Sequence, residues 1–202
     1  MQNLNTEYWF ATQVHYKDLD NFKTINKQII KEINTLKKKD KGLTLLNALG
    51  WHSSKIKEGF DVIKNEFLVM QQEIYEVENY NKKTKPLMTD MWVNVNPRYA
   101  YNKEHHHIPG SLWSAIYYVS APKNSGKIFF KDSAIEKWNF NPVYEPFETS
   151  FIKNNNSAKE VHYEIYEGRM IMFPSYLVHG VEANLSNKNR ISIASNFVQI
   201  NK

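Results

Sequence analysis

The chain has 202 residues, no cysteine and a formal net charge of +5. That length suits one folded domain with a substantial core, and the lack of cysteine excludes disulfides and thiolate sites, so any metal must be held by histidine or carboxylate. The start of the chain lacks a basic region followed by an apolar run, and no stretch approaches the ~18 apolar residues of a membrane helix; neither a secretory leader nor a membrane span is expected, and the cytoplasm is the expected compartment.

A short strand, "EYWFATQV", comes first and precedes Asp18 and Asp20, both suited to capping a helix. Phe22, Ile25, Ile29, Ile33 and Leu36 then recur at steps of three and four, which predicts an amphipathic helix. The lysines around "LKKKDK" read as a solvated face rather than a nucleic-acid surface. A second helix is expected after Ser53 and Ser54, with Ile56, Phe60, Ile63, Phe67, Met70, Ile74 and Val77 as its apolar stripe.

After "NYNKKTKP" the pattern changes. "LMTDMWVNVN", "SLWSAIYYVS", "GKIFFKD", "KEVHYEIYE", "GRMIMFPS", "LVHGVEA" and "RISIASNFVQI" all read as strands punctuated by Gly, Pro, Asn or Asp. Two helices followed by many strands predict an α+β, mainly β domain over 1–202, with a helical elaboration at about 18–80 supporting a sandwich or jelly roll. Residues 133–158 read as a long excursion of the kind that shapes a site entrance.

Three of the chain's seven histidines stand together in "NKEHHHIPGS". In extended backbone His105 and His107 point to one face and His106 to the other. His179 in "GRMIMFPSYLVHGV" is the best third partner, since a jelly roll brings distant strands side by side. Three neutral imidazoles suit iron, zinc, copper or nickel and leave coordination positions open, as a catalytic site requires. Trp92 and Trp113 are assigned to the core, and His52 and His162 to structural roles. Glu104 and Asp132 are weaker carboxylate candidates.

Arg190 lies in "NRISIASNF", eleven residues after His179. With it the pattern resembles the Fe(II)/2-oxoglutarate-dependent dioxygenases: H-x-D/E, a distal histidine, a basic residue about ten positions on, and R-x-S, matched here by Arg190-Ile191-Ser192. More narrowly, "GWHSS", "WVNVN", "NKEHHHIPGS", "SAIYYV" and "FPSYLVHGV" resemble a prolyl hydroxylase-like family of 2-oxoglutarate/Fe(II) oxygenases common in phage and bacterial genomes. The resemblance implies a double-stranded β-helix and oxidative decarboxylation of 2-oxoglutarate by O2 coupled to hydroxylation of a substrate, which a phage-encoded protein would perform in the host cytoplasm. It implies Fe(II) on His105, His107 and His179, and 2-oxoglutarate held by Arg190, Tyr118, Ser192 and Asn94. The substrate class stays open between a protein side chain, a nucleobase and a small molecule.

Three departures qualify it. Histidine replaces the usual acidic ligand, as it does in the narrower family. Ala115 stands where that family has glycine. Ile108 is an extra residue before Pro109-Gly110, and counting back from Trp113 would make His106 the first ligand and Ile108, which cannot ligate, the second. Two alternatives stand beside this reading. "GRMIMFPSYLVH" also fits the spacing of a cupin, a metal enzyme acting without 2-oxoglutarate, and a non-enzymatic jelly-roll structural module would bind neither iron nor cosubstrate.

Overall fold

The structure is a computed structural model that describes residues 10–43, 45–134 and 159–202. Eleven strands and two helices follow in the order β1 (His15–Asp18), α1 (Phe22–Lys39), β2 (Asn47–Ala48), β3 (Trp51–His52), α2 (Asp61–Val77), β4 (Thr84–Asn96), β5 (Tyr101–His105), β6 (Trp113–Ser120), β7 (Ile128–Lys131), β8 (Glu160–Tyr163), β9 (Arg169–Pro174), β10 (His179–Val181) and β11 (Arg190–Asn201). They form a six-stranded sheet, β1-β9-β6-β11-β4-β3, and a five-stranded sheet, β2-β5-β10-β7-β8. The architecture is a double-stranded β-helix, as the family resemblance implies.

Both helices cover the outer face of the six-stranded sheet. Ile25, Ile29 and Ile33 of α1 and Ile63, Phe67, Met70 and Ile74 of α2 join Met91, Val93, Tyr117, Met170 and Ile193 of the sheet in one core. The other face of that sheet turns towards the second sheet, where Ile116, Tyr118, Ile128, Phe130, Ile171 and Phe173 form a second cluster. β6 is covered on both sides, so seven of its eight residues are buried. β5 and β8 belong to the sheet without helices and alternate between exposed and half-buried positions. A buried polar latch seats α1: Asn26 Nδ2 donates to the Val119 carbonyl at 2.8 Å, and Tyr117 Oη donates to Asn26 Oδ1 at 2.7 Å.

All seven strands expected after residue 80 are present. The start of the chain differs from expectation. Residues 10–14 are not a strand, the first strand is His15–Asp18, and residues 7–9 lie outside the described residues. Asp18 caps no helix: it sits in β1 and accepts from Arg169 Nε and Nη2, each at 2.7 Å. Asp20 is exposed, and α1 begins after Asn21 without a side-chain cap. α2 begins only at Asp61, because Ser53 is tied to β4, where its Oγ accepts from the Val93 N–H at 2.9 Å. Ile56 and Phe60 therefore precede the helix. The excursion at 133–158 falls, from residue 135 on, outside the described residues.

Candidate metal centre

β5 and β10 are neighbours in the five-stranded sheet, and their register sets His105 directly opposite His179. His107 lies just past the end of β5, held by its backbone N–H to the Ser175 carbonyl at 2.9 Å. The ligand atoms of His105, His107 and His179 all lie within 4.8 Å of one another. His106 is exposed and outside this group.

The hydrogen bonds set the tautomers. His105 Nδ1 lies 2.7 Å from the Lys103 carbonyl, and His179 Nδ1 lies 2.9 Å from the Leu177 carbonyl. A carbonyl only accepts, so both Nδ1 atoms carry the proton and both Nε2 lone pairs are free for a cation. Burial, together with the neighbouring histidines, favours the neutral rings. It lowers His107 to about 4 and His179 well below the ordinary histidine value, and it lowers His105 in the same direction. Three neutral rings sharing one focus are suited to a divalent metal.

These histidines line a cavity of about 420 Å³ between the two sheets, which Asn94 and Asn102 also line. Asn102 links the cavity to Arg190. Arg190 is 1% exposed. Its Nη1 donates to the carbonyls of Ser125 and of Glu182, the latter at 2.8 Å, and its Nη2 to Asn102 Oδ1 at 3.5 Å. Gly126 makes the first contact attainable: it takes φ +87°, and a Cβ there would meet the Glu182 carbonyl oxygen at 2.6 Å. Burial pushes Arg190 down to about 10, while Tyr118 and Glu182 pull the other way, so it is charged at neutral pH.

Register places the other expected residues around it. Arg190 is opposite Asn96, and Ser192 is opposite Asn94 on one side and Tyr118 on the other. Directly opposed residues share a face of the sheet. The Tyr118 phenol is fully buried, and burial pushes its pKa up, so it stays protonated. Its Oη, with Ser125 Oγ and Asn96 Oδ1, has no hydrogen-bond partner among the described residues. Arg190, Tyr118 and Ser192 are not among the residues that line the cavity, and Asn102, which lines it, connects it to Arg190.

The cavity also holds residues that the sequence reading placed elsewhere. Trp92 is half-buried and lines the cavity instead of the core, and His52 stacks on it at 5.7 Å between ring centroids. Asn47 belongs to no motif in the sequence. Its Nδ2 donates to Asn94 Oδ1 at 3.2 Å, and its Oδ1 accepts from Asn96 Nδ2 at 2.7 Å. Trp113 is a core residue, its Nε1 donating to Tyr80 Oη at 2.9 Å. His162 bonds Glu182 Oε1 at 2.9 Å, and Glu104 accepts from Lys131 at 2.6 Å. Asp132 Oδ1 accepts from the Ala134 N–H at 3.0 Å, and the group that could hold a metal contains neither Glu104 nor Asp132.

A double-stranded β-helix with three histidines at one focus and a buried arginine beyond them defines the metal-dependent oxygenase class. Residues 90–196 match the family described as "Putative 2OG-Fe(II) oxygenase", and the chain belongs to that family. None of the curated proteins compared matches it in sequence. Its fold is similar to that of a Pseudomonas putida prolyl-4-hydroxylase, with a TM-score of 0.60, 12% identity, and 93% of this chain and 92% of that one covered. It is similar to a viral collagen prolyl hydroxylase from Paramecium Bursaria Chlorella virus-1, with a TM-score of 0.55, 14% identity and coverage of 90% and 94%. It is also similar to SnoN, a non-heme alpha-ketoglutarate-dependent epimerase from nogalamycin biosynthesis, with a TM-score of 0.64, 12% identity and coverage of 95% and 80%. Family membership sets the cupin reading aside.

Proposed function

We propose that the chain is an Fe(II)- and 2-oxoglutarate-dependent dioxygenase that hydroxylates its substrate, with His105, His107 and His179 as the metal ligands. The observation that carries this reading is the meeting of three imidazoles within 4.8 Å, two of them with Nε2 left free by their own hydrogen bonds. With iron bound, 2-oxoglutarate and O2 supply the oxidation: the cosubstrate becomes succinate and CO2, one oxygen atom enters succinate, and the other enters a substrate C–H bond.

The residues of the chain position and shield. Arg190 pairs with the C5 carboxylate through the guanidinium N–H groups that its carbonyl partners leave free. Tyr118, held protonated by burial, donates its Oη–H to the same carboxylate, and Ser192 lies beside it on the same sheet face. Asn94, its Oδ1 occupied by Asn47, turns its amide N–H towards the C1 carboxylate. Ile116, Ile128, Phe173 and Val181 keep water from the inner end of the cavity. The substrate approaches from the mouth. Protein side chains and small molecules are both in scope, as the prolyl hydroxylases and the epimerase among the structural neighbours suggest.

Anaerobic addition of 2-oxoglutarate to the Fe(II)-loaded protein tests the reading. A weak visible charge-transfer band is expected, followed by succinate formation when air is admitted. Iron binding without the band would return the site to a cosubstrate-independent enzyme. Absence of both iron binding and band would leave a non-catalytic module.

A further inference from the structure

The end of the cavity away from Arg190 has a chemistry that neither metal nor cosubstrate uses. Among the described residues lining the cavity, Asp90 is the one carboxylate. It lies on β4 two residues before Trp92, so both side chains share the strand's inward face. Its side chain is 22% exposed, and it is ion-paired with Lys55, whose side chain is 73% exposed. Asp90 and Lys55 line the same cavity as His105, His107 and His179. Leu43, Leu45 and Leu46 are 45%, 54% and 40% exposed and line the same cavity.

We propose that this mouth binds an alkylammonium group of the substrate, the ammonium on Asp90 and Trp92 and its carbon stem along Leu43, Leu45 and Leu46. The proposal rests on the oxygenase reading for its outcome but not for its binding step. Lys55 shows the geometry in miniature: a four-carbon stem brings an ammonium to Asp90 at the cavity edge. Because Lys55 is mostly in solvent, a second cation can displace it and keep the carboxylate paired. An uncharged ligand that displaced Lys55 would leave the 22%-exposed Asp90 carboxylate without a cation. Trp92 borders the same mouth, its ring lying 5.7 Å from that of His52 and 5.9 Å from that of His107 between centroids. A lysyl side chain of a polypeptide and a free amine share this chemistry.

Binding is measured calorimetrically on the metal-free full chain. The probes are n-hexylamine with n-hexanol as its neutral counterpart, and a lysine-containing peptide with its norleucine counterpart. Each amine is expected to bind about tenfold or more tightly than its neutral partner, the scale of a hydrogen bond to a charged group. Asp90→Asn should erase that preference, whereas Lys55→Gln should strengthen amine binding by removing the internal competitor. Opposite effects at two paired positions are not what a merely structural ion pair gives. A preference confined to the peptide identifies a polypeptide substrate, and one shared by hexylamine a small amine. Equal binding of amine and neutral probes, or an unchanged preference in Asp90→Asn, overturns the proposal. If Asp90→Asn fails to fold, weakened amine binding in Lys55→Gln overturns it as well. No iron or cosubstrate is present, so the outcome is independent of the charge-transfer titration.

Discussion

The two faces of the six-stranded sheet are buried alike and built differently. On the helix side, β11 presents Ile193, fully buried, and Phe197, 1% exposed; on the inner side it presents Arg190 at 1% and Ser192 at 4%. β4 does the same, with Met91, Val93 and Val95 outward and Trp92, Asn94 and Asn96 inward. The helix side has apolar partners for its apolar atoms. The inner side leaves Tyr118 Oη and Asn96 Oδ1 without a partner among the described residues, at a cost of ~1–3 kcal/mol each in a protein interior, and the helix side does so at Gln71 and Tyr75 of α2. The outer face is closed by two helices, and the inner face looks onto a cavity lined by Asn94, Asn102 and three histidines.

The widest break in the comparison is expected at the metal. His179→Ala should abolish iron retention after desalting and succinate formation, while the metal-free protein unfolds at nearly the wild-type midpoint. A large fall in that midpoint would place His179 with the structural face. Next is the opposite test, Ile63→Ala in α2, at a fully buried position. Removing a buried aliphatic side chain should cost ~2–5 kcal/mol in denaturant unfolding, with iron stoichiometry and cosubstrate affinity unchanged at temperatures where the variant is folded. Arg190→Ala should keep iron and raise the 2-oxoglutarate requirement by about 10- to 100-fold, the loss of a charge-assisted contact of ~1.5–3 kcal/mol. A wild-type saturation curve for this variant would remove the cosubstrate from the Arg190 end.

The same contrast explains what could be read in the sequence. Strands β4, β6, β7, β8, β9, β10 and β11 were legible because apolar or alternating runs end at turn residues, as in "SAIYYVSAPKNSGK". β5 escaped because it lies in the sheet without helices, and "YNKEH" has no apolar face to betray it. The histidine group was foreshadowed by H-x-H and a distant histidine, since register depends on strand order that the family resemblance supplied. Asn47 and Asn102 were not legible. A two-residue strand brings Asn47 opposite Asn102, and no local spacing announces a pairing 55 residues apart. Trp92 was assigned to the core because an aromatic residue in a strand usually packs there; only the three-dimensional arrangement shows that its side of β4 faces a cavity. Ser53 and Ser54 imitated a helix start because the same hydroxyls that cap helices also tie loops to strand edges.

The smallest effect is expected at the sheet's edge, where a carboxylate has a partner but no ligand to meet. Asp18 of β1 and Arg169 of β9 make a two-pronged contact, and Arg169 lies over the Tyr16 and Tyr166 rings at 4.9 and 4.5 Å. The hydrogen bond from Arg169 lowers the Asp18 carboxyl below its ordinary value of 3.8. A folded-state value below the unfolded one means that the pair's stabilisation is present above pH 3.8 and is lost as pH falls through that value towards the depressed one. Because the Asp18 side chain is 55% exposed, solvent screening limits the contribution to ~1 kcal/mol or less. Asp18→Asn should therefore lower the unfolding midpoint slightly at pH 6, with the difference from wild type shrinking as the pH is taken below 4 and as salt is raised. The 2-oxoglutarate saturation curve should be the same in both proteins. A shifted curve would show that the edge of the sheet, and not only its inner face, is coupled to the site.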